Sequence, residues 1–596
     1  MTNNPLSKAA RMSRRRAISL TGFGVVGAVA AVGAVSSRRE TTSPLRQAAP
    51  TSSATEAPAT NTTTTKRQAM ARRSTPTATV PPFEGIEEAS VGDLGNALER
   101  RQVSAAELVE EMVARIEEMD EELDGEEGLR AIIELNPDAA TIAADLDDEL
   151  ARGERRGPLH GIPVLVKDTF ATGDEMRTTA GALALEDNPC VADSFVVERL
   201  RKAGAIILGK ANLTEWSNFR GSSASSGWSG RGGQTRNPYQ LSMSPWGSSS
   251  GSGVGVAASY APLALGVETN GSIMTPASAC GIVGLKPTVG LVSRRGVVPI
   301  SFTQDSPGPM ARSVEDAALL LSAIAGHDPE DPAYSETDWS APANAFEEFP
   351  VPKVGKVDYT DGLDKDGLKG ARIGICRSLW GNDGAADDVA EEALAALEEA
   401  GARLVDDVSI PNQGAVGADG AGYRILLTEF VYSIERFLET YLPDGPIQSL
   451  ADIREFNEAN AEEELAYTDQ AVFYDAIEAL SIDDEFYRET VANNLSLARE
   501  QGIDAVMEEL ELDALVAPSA PVPTEINLYG DDFAGASTGP TASAGYPIIT
   551  VPAGYVDGLP VGLSFMGQAF TDAALLRYAY AFERAWLVRE APKYRL

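Results

Sequence analysis

The chain has 596 residues, and 43% of them are hydrophobic, which supports a large folded core and excludes a fibrous or wholly disordered protein. The formal net charge at pH 7 is -39, and a surface of this sign repels nucleic acid and anionic membranes. Because the sequence has two histidines and three cysteines, we expect no zinc site and no disulfide framework, while a bridge between Cys190 and Cys280 stays open.

The charge is unevenly distributed along the chain. The first 80 residues hold 12 basic and 2 acidic residues, which leaves 37 basic and 86 acidic residues in the remainder. A domain with this charge repels itself unless salt screens the charges. We therefore expect a protein adapted to molar salt, and the alternative is an ordinary acidic secreted enzyme.

The N-terminus has the pattern of an export signal. Arg14, Arg15 and Arg16 precede a short apolar run, rich in Gly and Ala, over residues 21–35. The paired arginines and the modest hydrophobicity favour the twin-arginine route, so residues 1–37 are predicted to be the signal of an extracellular or cell-surface protein. A retained membrane anchor is the alternative, although the run is short for one.

Two further regions follow the signal. Residues 38–82 are rich in Thr, Ser, Ala and Pro and lack the apolar content that offsets the entropy of ordering, so they are predicted to be a disordered linker. Residues 83–596 are predicted to form one folded domain. Near its start, Ser104 and Glu107 have the spacing of a capping box ahead of a helical run that reaches Met119.

Strand and helix patterns alternate along this domain. The predicted β–α–β units are residues 162–166, 195–203 and 205–208, and then 372–376, 386–400 and 403–405. Residues 421–513 have a polar helical pattern typical of a cap. Strand patterns return at 514–517, 547–551 and 562–566. We therefore predict an α/β fold with a central mixed, mostly parallel sheet, helices on both faces and a helical cap.

A segment rich in Gly and Ser carries the candidate chemistry. Residues 244–253 lead directly into an apolar helical run over 254–258, so small residues open a helix, where backbone N–H groups are free and a ligand can approach closely. A second element places Ser272 in a Gly-containing turn after a strand-like run over 263–267. A serine in such a turn is suited to act as a nucleophile, and the N–H groups of the turn can form an oxyanion hole.

A serine is weakly nucleophilic and needs a base. His160 is one candidate, and Lys167, which ends the apolar run 162–166, is another. A lysine at this position is either a surface charge paired with the adjacent Asp168 or a buried amine whose pKa burial lowers enough for it to act as a base. The residues alone leave both alternatives open.

Three motifs, in this order, resemble the amidase-signature family: GIPVLVKD at 161–168, GSSSGS at 247–252 and NGSI at 270–273. The spacing of 24 residues between Ser248 and Ser272 also matches the family. Further matches are GKANLTE at 209–215, GIVGLKPT at 281–288 and GPMARS at 308–313. The resemblance covers residues 83–596 and implies an amidase that hydrolyses a carboxamide to a carboxylate and ammonia without a metal or other cofactor.

The resemblance also implies roles for individual residues. Ser272 attacks the amide carbonyl and forms an acyl-enzyme, Ser248 relays its proton, and neutral Lys167 is the final base. The oxyanion hole is implied to consist of four backbone N–H groups, those of Thr269, Asn270, Gly271 and Ser272. Four further residues are expected to contact the substrate, namely Ser249, Asn212, Met274 and Gln304.

Two positions depart from the family pattern. Asn270 stands where many members have glycine, and Met274 stands where many have arginine, two residues after the nucleophile. Neither change removes the Ser–Ser–Lys triad. Both alter the expected substrate pocket, so the substrate cannot be transferred directly from the family.

Three runs look most like the bacterial peptide amidases, which remove the C-terminal amide from peptides: residues 212–221, 230–239 and 299–305. A peptide or small-molecule amide is therefore the expected partner, with no nucleic acid and no stable membrane insertion beyond the signal. One alternative is the glutaminase subunit of a tRNA-dependent amidotransferase, against which the export signal and the acidic charge argue. The other is a non-catalytic surface binding protein on the same scaffold.

Overall fold

The computed structural model describes residues 83–123, 125–331 and 357–596. The predicted signal (residues 1–37) and the predicted linker (38–82) lie outside these ranges. Within them, no helix combines the length and the apolar character that a bilayer span requires.

The described residues contain fifteen strands, of which eleven form one sheet and four form two small hairpins. The strands are β1 (Glu122–Leu123), β2 (Glu126–Glu127), β3 (Ile132–Leu135), β4 (Pro163–Lys167), β5 (Ile206–Ala211), β6 (Trp228–Ser229), β7 (Gly233–Gln234), β8 (Leu263–Glu268), β9 (Val283–Lys286), β10 (Ser306–Ala311), β11 (Arg372–Cys376), β12 (Arg403–Val408), β13 (Ala514–Pro518), β14 (Ile548–Val556) and β15 (Leu559–Met566). The order in the large sheet is β12-β11-β13-β15-β14-β9-β10-β8-β4-β5-β3.

The α-helices of the described residues flank this sheet or form the cap. They are α1 (Val91–Glu99), α2 (Ala105–Met119), α3 (Ala139–Arg152), α4 (Phe195–Lys202), α5 (Ser250–Ala257), α6 (Met274–Ala279), α7 (Val314–Ile324), α8 (Gly384–Glu399), α9 (Ala421–Tyr441), α10 (Leu450–Ala459), α11 (Ala461–Glu464), α12 (Ala471–Ile477), α13 (Glu485–Ala498), α14 (Asp504–Glu509), α15 (Gly539–Ala544) and α16 (Asp572–Ala585). This arrangement confirms the predicted α/β class.

The sheet is mixed, as predicted, and its parallel pairs lie in two groups. Strands β5, β4 and β8 form one parallel group, and β12, β11 and β13 form the other. The six remaining neighbouring pairs are antiparallel. Antiparallel pairs therefore outnumber the four parallel pairs, whereas the sequence predicts a mostly parallel sheet. Short connections explain part of this, because a parallel pair needs a long crossover. Asp557 and Gly558 join β14 to β15, and both have positive φ, as a tight hairpin requires.

Helix α2 begins at the capping box that the sequence predicts. The side chain of Ser104 accepts from Glu107 N, and the side chain of Glu107 accepts from Ser104 N, so the predicted capping box is confirmed. The helix buries Leu108, Met112 and Ile116 at helical spacing, and these residues belong to the main apolar core.

The segment from α9 to α14 forms the predicted helical cap. Phe430, Phe437 and Phe473 of the cap belong to a second apolar cluster, separate from the main core. Residues from the segments beside the sheet, including Trp216 after β5 and Ile300 before β10, complete this cluster. The cap is therefore held on the loops beside the sheet by its own buried apolar surface.

The three cysteines are buried and unpaired: Cys190, Cys280 and Cys376. The bridge between Cys190 and Cys280 that the sequence left open is therefore not present.

Candidate active site

Two neighbouring parallel strands bring the candidate residues together. Strands β4 and β8 pair in register, with Val166 opposite Leu265, and both end at the same edge of the sheet. Lys167 is the last residue of β4, and the turn that contains Ser272 follows β8 directly. The carboxyl ends of parallel strands are a common location for ligand sites.

Lys167 is fully buried, so the structure decides between the two alternatives that the sequence left open. Its Nζ donates to Ser248 Oγ at 2.7 Å and to the carbonyl of Val267 at 3.4 Å. Burial lowers the pKa of Lys167 to about 7, while the charges of Asp305 and Glu268 oppose this shift. A substantial fraction of the amine is therefore neutral near pH 7 and able to accept a proton.

Ser248 follows a cis peptide bond with Gly247 and lies just before α5. The next residue, Ser249, bonds to the backbone of Val267 through its hydroxyl, and Ser252 Oγ donates to the carbonyl of Leu265. These contacts fix the start of α5 against β8. They hold the hydroxyl of Ser248 beside the lysine.

The turn with Ser272 packs directly against this segment. Ser249 N donates to the carbonyl of Ser272 at 3.0 Å, so the two catalytic candidates on different segments become neighbours. Gly271 has φ of +84°, a left-handed conformation that glycine adopts without strain. The carboxylate of Glu268 accepts from the N–H groups of Ile273 and Met274, which fixes the far side of the turn.

The same turn has the geometry expected of an oxyanion hole. None of the four N–H groups of residues 269–272 donates to an acceptor in the part of the chain that the structure describes. Thr269 Oγ1 donates to Asp305 at 2.6 Å, and Asn270 Oδ1 accepts from Thr538 at 2.7 Å. The side chains thus anchor the turn at two points and leave its N–H groups available for a developing negative charge.

His160, the alternative base, has a different role. Its Nε2 lies 3.0 Å from the carbonyl of Leu146, and its Nδ1 accepts from Arg156 N. Both ring nitrogens are occupied by the backbone around α3. The imidazole therefore serves the scaffold, and the short contact of Ser248 is with Lys167.

Three of the four residues predicted to contact the substrate contact other parts of the protein instead. The amide of Asn212 is buried and bonds to Arg130 O, Gly233 O, Thr235, Ser229 and Leu213 N. The hydroxyl of Ser249 bonds to Val267, and Met274 is part of the main core. These side chains hold the site together and have no free group for a substrate.

Gln304 is different from the other three. It is 7% exposed, and among the described residues its side-chain amide has no hydrogen-bond partner. It follows Thr303 in the loop that carries Asp305. Gln304 is therefore the one of the four expected contacts whose polar group remains available.

The sequence interpretation assigned no role to Glu268 or Asp305. Both are buried carboxylates that bind backbone N–H groups next to the site, Asp305 those of Ile300 and Ser301. A signal was available for Glu268, which stands where the family motif has an acidic residue just before the turn. Asp305 lies in a conspicuous motif, but nothing local indicated that it reaches Thr269, 36 residues earlier.

Comparisons with known proteins agree with this geometry. The family model described as Amidase matches residues 107–576. A probable amidase of Arabidopsis thaliana is 39% identical over 515 residues, which are 85% of this chain and 92% of the relative. One component of the glutamyl-tRNA(Gln) amidotransferase of Geobacillus stearothermophilus is 36% identical, over 83% of this chain and 97% of the relative. The crystal structure of the peptide amidase of Stenotrophomonas maltophilia has a TM-score of 0.78 and 44% identity, over 86% of this chain and 100% of that one.

Proposed function

Since the chain belongs to the amidase family and hydrolyses amides, we propose that its substrates are peptides with a C-terminal carboxamide, which it converts to the free carboxylate and ammonia. Two observations support this substrate class. The first is the set of sequence runs shared with peptide amidases, which includes residues 299–305. The second is the similarity to a solved peptide amidase over nearly the whole described domain.

The proposed reaction uses one proton path. Ser272 Oγ attacks the amide carbonyl carbon while its proton passes to Ser248 Oγ, and the proton of Ser248 passes to neutral Lys167. The free N–H groups of residues 269–272 bind the oxyanion of the tetrahedral intermediate. When the C–N bond breaks, the lysine returns a proton through Ser248 to the leaving nitrogen, and ammonia departs. Water then attacks the acyl-enzyme ester by the same path and releases the carboxylate.

The observation that carries the proposed proton path is the buried contact between Lys167 Nζ and Ser248 Oγ at 2.7 Å. A lysine that only carried surface charge would keep its ordinary pKa and would be protonated at neutral pH. Here burial brings the pKa of Lys167 to about 7, near the pH at which a general base is most effective.

A panel of amides tests the substrate class. We expect kcat/KM for a peptide amide to exceed that for propionamide and for free glutamine by about 100-fold, because binding of the peptide part orients the carbonyl at Ser272. Ammonia release and the mass of the peptide product are the measurements, and the same peptide with a free C-terminal carboxylate is the control. Faster turnover of glutamine would instead favour the role of an amidotransferase glutaminase, to which the chain is also similar.

We also propose that the protein is exported by the twin-arginine route and works in high salt. The basic segment with Arg14–Arg16 and the net charge of -39 support this location. Since salt screens the repulsion between surface carboxylates, the melting temperature should rise as KCl is increased to the molar range. A melting temperature that stays constant or falls contradicts the adaptation to salt.

A further inference from the structure

The cap contains a buried carboxylate that the proposed mechanism does not use. Glu429 lies on α9 and is fully buried. Transfer of a carboxylate from water into a protein interior is costly, and here the groups that bind it are neutral hydrogen-bond donors. Burial accordingly raises the pKa of Glu429 to about 7, although its hydrogen bonds favour the ionised form.

The donors to Glu429 come from two different elements. Tyr487 of α13 donates its hydroxyl to Oε1 at 2.8 Å. The others belong to the loop over residues 300–305: Ser301 Oγ donates to Oε2, and Thr303 donates through its N–H at 3.2 Å and its hydroxyl at 3.0 Å. The carboxylate therefore joins the cap to this loop with several hydrogen bonds.

The last residue of this loop, Asp305, contacts the candidate oxyanion turn. Asp305 binds the N–H groups of Ile300 and Ser301 with Oδ2, and its Oδ1 accepts from the hydroxyl of Thr269 at 2.6 Å. Thr269 is the first residue of the turn with the four free N–H groups. A continuous set of hydrogen bonds thus runs from Glu429 through the loop to the turn.

One side of the loop faces a cavity, which reduces the packing on that side. Ser301, Phe302 and Asp305 border a cavity of about 200 Å³, whose other wall includes Tyr432 and Phe437 of α9. Arg294 holds the loop at one further point through the carbonyl of Phe302. The rings of Phe302 and Tyr432 meet edge-on beside this cavity, and the hydrogen bonds to Glu429 add a polar anchor on the neighbouring part of the loop.

We propose that Glu429 is a positioning residue for amide hydrolysis, which acts through the loop 300–305 and Asp305 to hold Thr269 and the oxyanion turn. The cap then contributes to catalysis by fixing the position of the oxyanion turn. This inference rests on the proposed role of residues 269–272 as the oxyanion hole.

Glu429→Gln is the first test, because a carboxamide of the same shape replaces one acceptor oxygen by a donor. We expect kcat for a peptide amide to fall about tenfold, with KM changed by less than about twofold, because the turn binds the transition state more strongly than the substrate. The melting temperature reports whether the variant is folded. A higher KM with an unchanged kcat overturns the proposal.

A double-mutant cycle with Thr269→Val separates positioning from general stabilisation. This substitution removes the hydroxyl that binds Asp305 and keeps the N–H of residue 269. If Glu429 acts through Asp305 and Thr269, Glu429→Gln lowers kcat much less in the Thr269→Val background than in the native one. Independent, multiplicative losses of kcat overturn the proposal. If Glu429→Gln does not fold, Tyr487→Phe takes its place in the cycle, with a smaller effect expected in the same direction.

Glu464→Gln is the matched control. Glu464 is another buried carboxylate of the cap, but it binds Leu183 N and Arg220, which belong to other loops. We expect a lower melting temperature with kcat within about twofold of the native value. If it lowers kcat as much as Glu429→Gln does, the effect is a general loosening of the cap and the proposal fails. Failure of the proposed site itself is recognised separately, since Ser272→Ala would then remain active.

Discussion

Ser272→Ala is expected to lower kcat for a peptide amide by at least about 10⁴-fold and to leave the protein folded. In the proposed mechanism this hydroxyl forms the covalent acyl-enzyme, and the hydroxyl of Thr269 in the same turn is already bound to Asp305. The alanine side chain fits the space of the serine, and the turn itself is held by Glu268 and by Ser249 N, so the melting temperature should change little.

Labelling by a fluorophosphonate probe gives an independent measurement of the same assignment. The native protein should be modified at Ser272, and the Ser272→Ala variant should not be modified. Ser252→Ala is the control, because this serine of α5 binds the carbonyl of Leu265 and takes no part in the proposed proton path. Retention of activity in Ser272→Ala, or a label on a different serine, would falsify the assignment of the nucleophile.

Lys167→Met should lower kcat about 10³-fold, because the proton of the attacking hydroxyl then has no base to receive it. Methionine has a similar length and is apolar, so it suits the fully buried position. If the rate at pH 7 remains close to that of the native protein, another group is the base.

The pH dependence identifies the lysine more specifically. Only the neutral amine accepts a proton, so kcat/KM of the native enzyme should rise about tenfold per pH unit below the pKa of Lys167, which is about 7, and level off above it. In Lys167→Met, the dependence due to this group should disappear. Lys210→Met is the matched control: Lys210 is also a fully buried lysine, but it binds Phe170 O and Thr178, so its loss should affect stability more than kcat.

Much of the candidate site was predictable from motifs and their spacing. A strand followed by a small-residue turn and a serine is a local pattern, and it placed Ser272 correctly after β8. The same holds for Lys167 at the end of β4 and for the Gly/Ser segment before α5. These are features of consecutive residues, and the backbone geometry they favour depends little on the rest of the chain.

Contacts between distant segments were not predictable in the same way. Asn212 and Ser249 belong to family motifs, but the sequence does not distinguish a polar group that binds substrate from one that binds the protein's own backbone. The structure shows that the amide of Asn212 connects several loops, and that Ser249 ties α5 to β8. Only the three-dimensional neighbours of a polar group determine whether it is free.

The sequence by itself therefore determined the α/β class, the helical cap, the order of the catalytic motifs and the chemical types of the candidate residues. The tertiary structure decided that Lys167 is buried and not a surface charge, that Asp305 binds Thr269 of the candidate oxyanion turn, and that Glu429 of the cap binds the loop 300–305. The physical reason is that hydrophobic periodicity reports which side chains avoid water along a segment. The burial of a charge, the shift of its pKa and its hydrogen-bond partners depend on which distant segments pack around it.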